Sequence, residues 1–167
     1  MSNPIWEVIE IRKGKDRNDI FKVMKNVPIF SELNEKEMEE LEKIIHRRGY
    51  KKGEPIFRMG DPGLGMYIII KGSVNIAEEK VDGEMTTIAV LEKGAFFGDL
   101  ALLDEAPRSA SAIANEDSDI LGFFRPDLLD FLYRKPKMGI KILFGLARTI
   151  GERLRRTNLQ LSELQEK

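Results

Sequence analysis

Residues 97–110 read FGDLALLDEAPRSA, and the fold and the site both follow from this stretch. An anion carried on a sugar needs backbone N–H groups at a helix start, a fixed cation, and a carboxylate to accept hydroxyls. Gly98 permits close backbone approach, and Asp99 falls in the first turn of an expected one-turn helix. Leu100, Ala101 and Leu102 then aim N–H groups outward. Arg108 returns as a planar donor fork suited to phosphate. On residue chemistry alone a plainer reading stays open, in which Asp99 caps a turn and Arg108 is a solvated loop cation.

Working outward, glycines from Gly49 to Gly98 punctuate short runs rich in β-branched and aromatic residues, the pattern of a compact antiparallel β fold. Strands are expected at 47–50, 55–57, 65–71, 73–79, 86–91, 110–114 and 119–124, with a hairpin turn at Asp82-Gly83. Upstream, 19–30 reads as a short helix ending near Pro28. Asn34 and Glu37 form a capping box for a second helix running to about His46. Downstream of Pro126 the chain is helical with a break at Pro136, a short helix leading into a long one.

The bulk numbers exclude several classes. A chain of 167 residues with 42% hydrophobic content buries one good core, so a single domain is expected over 19–167, preceded by a loose arm over 1–18. With 27 Lys and Arg against 28 Asp and Glu there is no basic field of the kind that binds nucleic acid indiscriminately. The absence of Cys removes disulfides, thiol catalysis and metal-thiolate sites. His46 is the one histidine, too thin an inventory for a metal enzyme or a haem sensor on a β-roll. No signal peptide or run of about 18 apolar residues appears, so no membrane association and a cytoplasmic location are expected.

FGDLALLDEAPRSA resembles the phosphate-binding cassette of the cyclic-nucleotide-binding domain family, F-G-E-hydrophobic-A-L, a short gap, then P-R-small-A. The segment GDPGLGMYIIIKGSV agrees: Gly60, Asp61, Gly63, Tyr67, Ile69 and Gly72 match that family's G-D-x-G-x-x-x-Y-x-I-x-x-G turn and strand. The type is that of cyclic AMP receptor proteins and protein kinase A regulatory subunits. The resemblance, over roughly 27–158, implies a mainly β fold with flanking helices: an eight-stranded antiparallel jelly roll, N-terminal helices and a long C-terminal helix. It implies a signalling module, not an enzyme, with no cofactor and a cyclic nucleotide as ligand, cyclic AMP rather than cyclic GMP because Ser109 follows the arginine.

Carried over by position, Phe97, Gly98, Leu100 and Ala110 frame the cassette, and Arg108 pairs with the cyclic phosphate. Ser109 donates its hydroxyl to the same group, and Ala101 and Leu102 contribute N–H groups. Asp99 stands where the family has Glu to accept the ribose 2′-hydroxyl, and Leu64 where a polar residue is common. Asp is shorter by about 1.5 Å of reach, so the ribose bond lengthens or takes a water. Losing a charge-assisted bond of this kind weakens binding by about tenfold to a hundredfold. The alternative reading is a degenerate domain that binds no nucleotide and serves as a protein-interaction or dimerisation unit.

In the long helix, about 136–164, Ile150, Leu154, Thr157, Leu161 and Leu164 follow the spacing of a two-stranded coiled coil, with Leu143 and Leu146 continuing it upstream after a stutter. This predicts a lid and homodimer seam, with packing onto the β-roll as the plainer alternative. By resemblance to the family's bacterial activators, Thr157 and Asn158 face the purine. Arg148, Arg153, Arg155 and Arg156, interleaved with Glu152, read as a solvated helix face. The chain ends at Lys167 without a helix-turn-helix, so no DNA binding is expected of it alone, and a protein target is left unidentified.

Overall fold

The computed structural model describes residues 15–80 and 83–165. Helix α1 (Lys15–Lys25) leads through a 3-10 turn at Pro28–Phe30 to α2 (Glu35–Glu42). Eight strands follow: β1 (His46–Tyr50), β2 (Pro55–Phe57), β3 (Gly65–Lys71), β4 (Ser73–Glu79), β5 (Met85–Glu92), β6 (Phe96–Phe97), β7 (Ser111–Ala114) and β8 (Ser118–Phe124). A 3-10 helix at Asp99–Leu102 lies between β6 and β7, and α3 (Arg125–Arg134) and α4 (Pro136–Gln165) close the chain. The strands form two antiparallel sheets, ordered β1-β8-β3-β6 and β2-β7-β4-β5, the jelly roll expected.

The central strand β3 explains why GMYIIIK reads as one continuous apolar run. Its alternate residues serve two cores. Met66, Ile68 and Ile70 point to the helices, joining Ile20, Met24, Phe30, Leu41, Ile142 and Leu146. Tyr67 and Ile69 point into the roll, among Tyr50, Val74, Phe97 and Ile120. β8 does the same, sending Leu121 and Phe123 one way and Ile120 the other.

Several expected boundaries shift. Helix α1 begins at Lys15, inside the segment read as an arm; residues 1–14 lie outside the described residues, as does Asp82 of the expected hairpin turn. Gly83 of that turn takes φ 82° and donates its N–H to the Lys80 carbonyl. The capping box on α2 forms, Asn34 Oδ1 accepting from Glu37 N at 3.0 Å and Glu37 Oε2 from Asn34 N at 2.9 Å. That helix stops at Glu42, short of His46, because His46 is taken into the β1–β8 ladder opposite Gly122. β6 escaped the sequence reading: two residues, paired as Tyr67–Phe97 and Ile68–Phe96, carry no measurable period.

Helix α4 lies across the N-terminal turn, where Gly145 makes the approach possible. A Cβ on Gly145 would come within 2.2 Å of the Ile29 carbonyl oxygen. Ion pairs flank this contact: Arg148–Glu32 at 3.1 Å, Lys141–Glu37 at 2.7 Å, and Lys135–Glu40. Leu146, expected on the outer seam, is instead fully buried, because the face it shares with Ile142 and Thr149 is the one turned to the core. The outer row therefore runs without a stutter through Ile140, Leu143, Ala147, Ile150, Leu154, Thr157, Leu161 and Leu164. Leu143 and Ile150 pack partly on the core, while Leu154, Leu161 and Leu164 are exposed.

Candidate functional site

The 3-10 helix Asp99–Leu102 and the return at Pro107–Ala110 wall a cavity of about 400 Å³. It forms because Gly98 takes φ 72°, turning the chain sharply after β6. Any side chain there would also collide with Arg108, since a Cβ would lie 2.7 Å from its Nη1. The turn before β3 fixes the other side of the return. Gly60 N donates to the Arg108 carbonyl and Arg108 N to the Asp61 carbonyl, both at 2.8 Å. Asp61 Oδ2 in turn accepts from Arg58 N at 2.7 Å.

Arg108 is 8% exposed, a buried cation. Its Nη1 donates to the Gly98 carbonyl at 3.1 Å and its Nη2 to the Gly65 carbonyl at 2.7 Å. The Nε is buried with no partner among the described residues. Burial pulls the Arg108 pKa below its ordinary value, against the opposing influence of Tyr67 and Asp61, yet a guanidinium stays charged at any physiological pH. Burial likewise raises the Tyr67 hydroxyl, against the charge and hydrogen bond of Arg108. An anion entering this cavity meets a desolvated cation with donor capacity left over, where its charge is felt more strongly than in water.

Asp99 is 2% exposed and points to α4. Arg153 Nη1 donates to both its carboxylate oxygens, at 2.8 and 2.9 Å, and the Arg153 guanidinium lies 5.1 Å from the Phe96 ring centroid. The solvated face read from the sequence is thus corrected at Arg153, which lines the cavity, while Arg148 is exposed and pairs with exposed Glu32. The signal was present in the spacing, because Arg153 continues the row of Leu146 and Thr149, both buried.

Of the residues assigned from the sequence, Phe97, Gly98, Asp99, Leu100 and Ala101 line the cavity from one side. Arg108, Ser109 and Ala110 line it from the other. The Leu102 side chain turns away into the helix-side core. Thr157 and Asn158 are exposed on α4 and are not brought to the cavity. Phe57, Ile76 and Asp104 also line it, though no motif in the sequence marks them. Among the described residues no cluster of His, Asp and Glu is placed to hold a metal ion.

The cassette is also tied to the start of α3. Glu105 pairs with Arg125 at 2.7 Å, and Arg125 N donates to the Leu64 carbonyl. Asp127 caps α3 by accepting from Phe124 N at 3.0 Å, and its Oδ2 lies 3.8 Å from His46 Nε2. Burial raises the Asp127 pKa, the cap bond and His46 opposing. Among the described residues no helix is long and apolar enough to cross a membrane.

Comparison with known proteins places this geometry. The chain is 38% identical over 141 residues to the cyclic AMP receptor protein of Thermus thermophilus, covering 84% of this chain and 63% of that protein. The crystal structure of the Thermus thermophilus catabolite activator protein superposes with a TM-score of 0.72 at 37% identity, over 83% of this chain and 63% of the other. The N-terminal domain of a transcriptional regulator from Streptomyces coelicolor gives a TM-score of 0.72 at 29% identity, over 81% of this chain and 94% of that domain. The chain thus spans less than two thirds of the full-length relatives. The cyclic nucleotide-binding domain model matches residues 47–135, and the chain belongs to that family.

Proposed function

We propose that the chain is a cyclic-AMP-responsive regulatory module, without catalysis of its own, which reports the ligand through α4. The observation that carries this reading is that Arg108 and Asp99 face one cavity while Asp99 is held by Arg153 of α4. The phosphate is taken by the Arg108 guanidinium and the Ser109 hydroxyl, and the ribose hydroxyl competes with Arg153 for the Asp99 oxygens. A ligand that weakens this tie favours one pose of α4 over another by the difference in its affinity for the two. Cyclic AMP is preferred as ligand on the strength of Ser109 and of the named relatives.

The outer row of α4 supports a homodimer through a parallel two-stranded coiled coil. With Leu154 and Leu161 at a and Thr157 at d, Arg153 falls at g and Asn158 at e. In such a coil, g faces e of the following heptad on the other helix, so Asn158 of a second copy comes beside Arg153. Exposed Asn158 gains a route to the ligand in this way. The degenerate reading is disfavoured because a buried arginine with no ion-pair partner among the described residues is costly in a domain that binds no anion.

Isothermal titration tests the reading. Binding heat with cyclic AMP, weaker with cyclic GMP and lost in Arg108→Ala, is expected. Absence of heat from either nucleotide at millimolar concentration would sink it.

A further inference from the structure

We infer that Phe57 is a positioning residue for Arg108, the base of an aromatic cup, completed by Tyr67 and Phe97, that holds the guanidinium ready for an anion. This rests on the reading of Arg108 as the phosphate ligand. A buried cation must find negative potential somewhere, and among the described residues no carboxylate makes an ion pair with Arg108. The two carbonyls it bonds, the Tyr67 hydroxyl and the nearby Asp61 charge supply part of it. The rest comes from ring faces: the guanidinium carbon lies 4.1 Å from the Phe57 ring centroid and 5.6 Å from that of Tyr67, within cation–π range.

The three rings are themselves packed together. Phe57 is 5.6 Å from Tyr67 and 5.9 Å from Phe97, and Tyr67 stacks on Phe97 at 5.5 Å. Phe57 belongs to one sheet, Tyr67 and Phe97 to the other, so the cup bridges the two sheets beneath the cassette. Stacking beneath and carbonyls at the edge hold the guanidinium in this pose, and the missing side chain at Gly98 makes room for it, since a Cβ there would lie 2.7 Å from Nη1. An aliphatic side chain at 57 would fill the volume without the ring's quadrupole. Arg108 would then spend part of the ligand's binding energy on being ordered.

Two measurements on the full chain separate this proposal from the function it builds on. In the ligand-free protein, the Arg108 Nε–H resonance is expected to be ring-current shifted and slow to exchange in wild type and Phe57→Tyr. In Phe57→Leu it loses both properties, with Phe57→Met as a second non-aromatic variant should the leucine one fail to fold. In calorimetry with cyclic AMP, Phe57→Leu is expected to lose about tenfold in affinity. Phe57→Tyr restores most of it, and in an Arg108→Lys background the same Phe57→Leu change costs about twofold or less. An Nε–H unmoved by Phe57→Leu overturns the proposal, as does an equal loss in both backgrounds. Wild type that binds neither cyclic nucleotide, with the Nε–H behaving as expected, overturns the function and keeps the cup.

Discussion

At the residue scale, the half-buried pair Asp99–Arg153 is the contact most informative about how the site works. Asp99 is 3% exposed at its side chain and Arg153 46%, so the arginine retains much of its water while the carboxylate does not. Removing Arg153 strands the carboxylate, and Arg153→Ala is expected to cost about 1–2 kcal/mol, less than a fully buried pair would. Asp99→Ala in that background recovers part of the loss, because no charge is then left unpaired. Urea denaturation of the two single variants and the double checks this, and additive losses would argue against the pair. Arg108 and Asp99 sit in one contiguous segment, yet their chemistry alone left a turn cap and a solvated cation open, and it was the resemblance of the whole segment to a cassette that singled them out. Arg153 was not singled out: one arginine among several on a helix looks like its neighbours until the helix is docked.

At the scale of elements, the ion pairs that tie α2 to α4 and to Lys135 at the α3–α4 junction carry a pH signature. Hydrogen bonds from Lys135 and then Lys43 lower the Glu40 pKa to about 2, from an ordinary 4.5. For Glu37, burial acts upward but is outweighed by Lys141 and the Asn34 backbone, leaving it lowered. Carboxylates lowered in the folded state stabilise it above their unfolded pKa and cease to as pH falls through the folded one. The urea midpoint is therefore expected to decline from about pH 4.5 toward about 2, with a shallower decline in Glu40→Gln. Parallel profiles would show that the ties carry no stability. The strands were legible wherever one face alternated or both were apolar, as in β3 and β4. The two-residue β6 and the end of α2 were decided by pairing with distant segments, which no local pattern reports.

At the scale of the whole molecule, the row from Ile140 to Leu164 is what a second copy would cover, its lower half apolar and exposed at Leu154, Leu161 and Leu164. Sedimentation of the intact chain is expected to give a dimer, and Leu154→Ala with Leu161→Ala a monomer that keeps its β-roll circular dichroism. Identical monomers in both would dismiss the seam. Periodicity alone placed that row but assigned it Leu146, because a helix with apolar residues on two adjoining faces does not say which face meets its own core.

The cavity, Arg153 and α4 meet in one expectation, that a nucleotide held at Arg108 is felt by the helix through Asp99. The direct measurement is the Arg153 Nε–H resonance during titration of the full chain with cyclic AMP. It is expected to shift in proportion to bound nucleotide, together with the amides of α4, and to stay still in Arg108→Ala. Heat of binding without any movement of Arg153 or α4 would contradict it.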